Sequence, residues 1–223
     1  MIEQKLSNLD LSYAELDYLK GVKLVVGSNI NLIGSSFVRY VNLSRAQVGG
    51  EFHLDGISIG EEGIFTKIKV GKNFYLNGAS IRYSDLSEII VSGFLDLRCM
   101  KSNYIGLQNS ELEGVKASSL RAKDCLTFKN AEINGNADIS SSTLQNLGFE
   151  GAKISGDLNL NKNNLDFLDL RSLEVDEVIN LEDTEITRCR CDDLVLGCYK
   201  INSNTKIPKN LKKVLENYPV VIN

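Results

Sequence analysis

The 223-residue chain is 43% apolar, enough to bury a sizeable core, and carries a formal charge of −4. That sum divides unevenly. Residues 1–198 hold 20 basic and 28 acidic side chains and residues 199–223 hold five lysines and one glutamate, so the body is −8 and the tail +4, which excludes nucleic acid and anionic membrane as expected partners of the body.

The chain opens on "MIEQKLSNLDLSYAELDYLK", which carries acids throughout and lacks the basic-then-apolar order of a secretory leader. The longest uncharged run, residues 24–38, is 15 residues long and too short to span a bilayer. Five cysteines (Cys99, Cys125, Cys189, Cys191, Cys198) are an odd number in a chain that needs no staples, which favours a reducing compartment. The expected location is cytoplasmic.

From the N-terminus onward the dominant signal is a repeat. Gly27, Gly49, Gly71, Gly93, Gly114, Gly135 and Gly156 are separated by 22, 22, 22, 21, 21 and 21 residues. Four apolar columns keep that interval. The first runs from Leu11 through Leu32, Leu54 and Leu76 to Leu181; the second holds Leu16, Phe37, Ile59 and Ile81, then Leu144, Leu165 and Ile186. The third includes Leu43, Phe65, Leu107, Phe128, Phe149 and Leu170, and the fourth Val48, Val70, Val91, Leu112, Ile133 and Ile154. One apolar residue every five or six positions fits neither a helix nor a long strand. It fits a square coil in which each short side turns one residue inward, with coils stacked at roughly 4.8 Å, so that about nine coils make a parallel rod on the order of 43 Å long.

Stretches such as "NFYLN" and "YIGLQ" place two inward residues around one outward one, so sides 1 and 3 are expected as strands. Sides 2 and 4, with one inward residue among Gly, Ser, Asn and Asp, are expected as turn-like corners. The recurring glycine before side 1 is expected at a left-handed or closely approached backbone position.

The triplets Ala14-Glu15-Leu16, Ala46-Gln47-Val48, Ala79-Ser80-Ile81, Ala131-Glu132-Ile133, Ala137-Asp138-Ile139 and Ala152-Lys153-Ile154 repeat a small, a polar and an apolar residue. In this the chain resembles the pentapeptide-repeat proteins over residues 6–201, as a divergent member with coils of 21 or 22 residues. The resemblance implies an all-β, right-handed quadrilateral parallel β-helix over residues 1–201, followed by a C-terminal capping segment, residues 202–223.

Farther along, His53 is placed outward between Phe52 and Leu54, beside Tyr75 and Asn31, as a solvated residue and not a site. Over residues 98–126 the register weakens, because Lys101, Ser102, Lys116 and Lys123 fall at or near apolar positions; a bulge or a loop displaced from the rod is expected there. Cys189, Cys191 and Cys198 have zinc-like spacing, but two of them take the inward positions of Leu168 and Leu170 and no histidine lies near, so no metal is expected. No nucleophile elbow, phosphate loop or dinucleotide fingerprint occurs, and short turns leave no cleft for paired carboxylates, so neither an enzyme nor a cofactor is expected.

Residues 166–193 carry ten acids and three bases, a local charge of −7. Asp166, Asp169, Glu174, Asp176, Glu177, Glu182, Asp183 and Glu185 form the candidate partner-facing surface. The expected function is a non-catalytic scaffold whose flat faces engage a protein partner. The resemblance implies an alternative, since some pentapeptide-repeat proteins are similar to duplex DNA in shape and charge and bind type II topoisomerases such as DNA gyrase.

The tail "IPKNLKKVLENYPVVIN" places Leu211, Val214, Leu215 and Tyr218 on one helical face and Lys209, Lys212, Lys213 and Glu216 on the other, between Pro208 and Pro219. Such a helix is expected to cap the open end of the solenoid, with the acidic coils facing its lysines. The same face suits a homodimer contact, which the resemblance to gyrase-binding members also implies.

Overall fold

The computed structural model describes residues 5–221. The chain winds into a parallel β-solenoid of about nine coils, closed at its C-terminal end by one short helix, Lys209–Leu215. Every strand pairing is parallel, and equivalent residues sit directly above one another: Phe52 on Phe74, Ile59 on Ile81, Val48 on Val70. The strands form two sheets of 16 and 11 strands, the larger made of sides 4 and 1 and the smaller of sides 2 and 3.

All four sides are strand-like, which corrects the expectation that sides 2 and 4 are corners. In one coil Phe74 and Leu76 point inward on side 1, Ala79 and Ile81 on side 2, Ser84 and Leu86 on side 3, and Ile89 and Val91 on side 4, all at most 2% exposed. Each side therefore buries two residues around one outward residue. The first of the two was hidden in the sequence because it is often small, as in Ala46, Ala79, Ala131 and Ala152.

The true turns follow sides 1 and 3. Their backbone closes with bonds such as Ala79 N–H to the Leu76 carbonyl (3.0 Å) and Ala46 N–H to the Leu43 carbonyl (3.0 Å). The third residue of each turn is left-handed, which together with that bond defines a type II turn. Fourteen of these positions are not glycine, among them Lys67, Asn109, Ser119 and Asp183. Twelve of the fourteen also donate their amide to a carbonyl of the next coil, as Lys67 does to Ser87 (3.0 Å) and Ser119 to Ser140 (3.0 Å), and Asp183 donates to the Asn202 side chain (3.2 Å). Of the recurring glycines, Gly49, Gly71, Gly93, Gly135 and Gly156 serve the other of the two expected purposes. A Cβ on Gly49 would fall on the Gly27 carbonyl oxygen, and one on Gly71 on that of Gly49, so these residues permit close approach between coils.

Beside them, asparagines tie the corner between sides 4 and 1. The Asn29 side chain accepts from the Glu51 amide (2.9 Å), Asn73 from Phe94 (3.0 Å) and Asn136 from Asp157 (2.8 Å). The corners without a type II turn also absorb changes in coil length, through register shifts between Ile59 and Glu62, Val91 and Phe94, and Ala122 and Cys125.

Residues 98–126 stay in the rod, correcting the expected displaced loop. Lys101–Gly106, Glu111–Lys116 and Arg121–Thr127 are full strands. Ser102 and Ala122 take the inward positions of the second column, while Lys101, Lys116 and Lys123 point to solvent. The irregularity is limited to register shifts after Ser102 and Ala122 and where Leu112 and Gly114 face Val91 and Phe94.

The core is one continuous stack. Phe52 and Phe74 lie face to face at 4.5 Å, with Phe65 edge-on to both. At the C-terminal end Leu211 and Leu215 are at most 1% exposed and pack into this core, with Val214 and Tyr218 beside them. Asn210 donates to the Cys189 carbonyl (2.8 Å) and the Tyr218 hydroxyl donates to that of Leu194, so the tail satisfies backbone acceptors of the last coils as well as covering apolar side chains. Of the tail lysines, Lys206 reaches Glu185 (3.1 Å) and Lys200 approaches Glu182 (4.0 Å). No helix among the described residues is long and apolar enough to cross a membrane.

Candidate functional site

A continuous stretch of sequence in a solenoid wraps round the rod, whereas a face is assembled from residues one coil apart. The eight acids of 166–185 are accordingly spread over three sides and the corners between them. Glu185 lies on side 2, Asp169 on side 3 and Glu174 on side 4; Asp166, Asp176 and Glu177 sit at corners, and Glu182 and Asp183 in the turn after side 1. Asp169 is held by the Arg171 guanidinium (2.6 Å), Glu174 by Lys153 (3.3 Å) and Glu185 by Lys206 (3.1 Å). Asp183 accepts from Asn202 (2.9 Å) and Asn204 (2.8 Å), bonds that hold its carboxyl below the usual range. These acids are not brought together on one face.

The single histidine stacks on Tyr75 (4.7 Å between ring centres) and lies between Glu51 (3.3 Å) and Asp55 (3.5 Å), partly covered on side 1. Burial outweighs the His53 contact and raises the Asp55 carboxyl. Cys191 is buried, and Cys189 pairs across to Leu168 in the core-lining position; burial, with Cys191 beside it, pushes the Cys189 thiol well up, so it is held as a neutral thiol.

A concavity lies on side 2, in the middle of the rod. It is an open trough of about 800 Å³ running along the axis over six coils, whose central outward residues are Ser58, Ser80, Lys101, Arg121, Thr143 and Asn164. Behind it runs the second column, which Ile59, Ile81, Leu144 and Leu165 fill at the ends and the smaller Ser102 and Ala122 fill at the centre. Around the centre stand Arg82, Lys101, Arg121 and Lys123, all exposed.

None of these four forms an ion pair or a side-chain hydrogen bond with the described residues; Arg82 only approaches the Tyr83 ring (5.6 Å). Lys101 lies directly across from Arg121 on the neighbouring strand, a like-charge pairing that works against the stability of the sheet. Asp166, at the far end, is the sole carboxylate in the lining. Of the lining residues, the sequence singled out Lys101, Ser102 and Lys123 only as breaks in the apolar columns, and Arg82 and Arg121 not at all. The readable signal was the coincidence of cations with small residues at one column position in successive coils.

The chain matches no protein-family model and no curated protein sequence.

Proposed function

We propose that the protein is a non-catalytic recognition scaffold, a divergent solenoid of pentapeptide-like coils that engages a protein partner through a flat side of the rod, with side 2 as the engaging face. The observation that carries this reading is the trough over Ser102 and Ala122, where four cations stand together without carboxylate partners. The pentapeptide-like assignment is supported by the small–polar–apolar order of sides such as Ala46-Gln47-Val48 and Ala79-Ser80-Ile81 and by the type II turns after sides 1 and 3. A rigid stack suits recognition because outward residues vary without disturbing the column behind them.

A DNA-like rod would need a continuous strip of carboxylates along one side, and the acids of 166–185 encircle the rod instead, with several already paired to lysine or arginine. The test is site-specific photo-crosslinking in the native cell from Gln145, at the trough, and from Gln47, on side 4. A discrete protein adduct from Gln145 and none from Gln47 is expected. Absence of any protein adduct from Gln145 would overturn the assignment of side 2 as the engaging face.

A further inference from the structure

We propose that the side 2 trough binds a short, extended, acidic segment of a partner polypeptide. The inference rests on the reading of side 2 as the partner-binding face and goes beyond it by naming what is bound. Three properties of the trough point to such a ligand.

The first is length. Six stacked coils span about 24 Å at a strand spacing of roughly 4.8 Å, which an extended chain of about seven residues covers at about 3.4 Å per residue. The second is where the charge lies. Arg82, Lys101, Arg121 and Lys123 fall within three successive coils, about 10 Å of the axis, so they match two or three carboxylates in the middle of the segment. Towards the ends the lining turns neutral and hydrogen-bonding, with Ser58 and Ser80 on one side and Thr143 and Gln145 on the other.

The third is what brackets the cations. Glu61 and Glu62 stand exposed at the corner one coil before Arg82, and Asp166 closes the opposite end. A long polyanion such as a nucleic-acid strand would run onto these carboxylates and a body of net charge −8, whereas a short acidic segment ends before reaching them. Binding also relieves the Lys101–Arg121 repulsion, so the stability the sheet forgoes in the free protein is returned in the complex.

The experiment is fluorescence anisotropy on the full chain with a labelled seven-residue peptide carrying three central glutamates. A peptide with glutamines in their place and a seven-nucleotide single-stranded DNA are the comparators. Saturable binding of the glutamate peptide is expected, weakening with added salt and at least about tenfold tighter than that of the glutamine peptide. Arg121→Glu should weaken it about tenfold or more and Lys123→Gln severalfold, while Lys69→Glu on side 4 should leave it unchanged.

No saturable binding, equal binding of the glutamine peptide, or no response to Arg121→Glu would overturn the inference. Tighter binding of the oligonucleotide would assign the trough to nucleic acid, and self-association of the chain abolished by Arg121→Glu would assign it to a second copy; either replaces the acidic segment. If crosslinking from Gln145 to a partner persists in Arg121→Glu, the partner face stands and only the acidic segment falls.

Discussion

The rings of Phe128 and Phe149 stack one coil apart, with centres 5.1 Å apart and planes 4° from parallel. Both side chains are fully buried, between Leu107 and Leu170 of the same column. Truncating either to alanine removes the ring and leaves a void that the coils above and below cannot close. A loss of about 3–5 kcal/mol is expected for each in urea unfolding, with the double variant departing from additivity because the rings touch.

On the outside of the same turns, Lys129 reaches Glu150 (3.1 Å) and Arg171 reaches both Glu150 (2.9 Å) and Asp169 (2.6 Å). Asp192 continues the row and adds to the field at Arg171. Burial opposes ionisation of Asp169, but the Arg171 side chain and amide, with Arg190 nearby, outweigh it and hold the carboxyl below the usual range. A depressed carboxylate contributes stability that is fully present above its unfolded value of about 3.9 and is lost as pH falls through its folded value. Asp169→Asn should therefore destabilise by roughly 1.5–3 kcal/mol at pH 7, and the difference from the parent should shrink as unfolding is repeated below about pH 4. A difference that stays constant with pH would mean the contribution is packing and not charge.

Ser84 is inward on side 3 and its hydroxyl is buried without a hydrogen-bond partner. The adjacent coils place Gly63 and Ile105 on either side of it in that column. Replacement by alanine removes the unsatisfied oxygen and loses almost no volume, so Ser84→Ala should raise stability by about 1 kcal/mol or more, read as a higher melting temperature.

Two backbone substitutions should act with opposite signs. Gly49→Ala places a methyl group on the Gly27 carbonyl oxygen and should destabilise by several kcal/mol or prevent stacking of the first coils. Ser119→Gly, at an exposed left-handed turn position with φ of 58°, relieves the Cβ penalty and should stabilise by up to about 1 kcal/mol, as judged by chemical denaturation.

Removing residues 206–223 uncovers the apolar end that Leu211 and Leu215 close. The truncated chain should aggregate, as read by light scattering, because unpaired strand edges and core side chains become exposed together. Since the apolar face of the helix is already spent on its own coils, a clean conversion of a dimer into a folded monomer is not the expected result.

The stacking period was set by the sequence itself. A solenoid core is built from residues a fixed distance apart, so Phe128 and Phe149, Lys129 and Glu150, or His53 and Tyr75 could be matched by counting, and the spacing of Leu211 and Leu215 was enough to find the helix that covers the end. What counting missed were residues whose small side chains give no hydropathy signal. Ala79 and Ala152 hid the second inward position of their sides, and Ser102 and Ala122 made an intact coil read as a broken one.

Only the tertiary structure decided the surface. The acids between Asp166 and Glu185 are neighbours in sequence but are carried round the rod onto three different sides and the corners between them, since successive five-residue sides face different directions. Arg82, Lys101, Arg121 and Lys123 are spread over three coils, and the stacking of those coils over two small core residues is what places them around one trough.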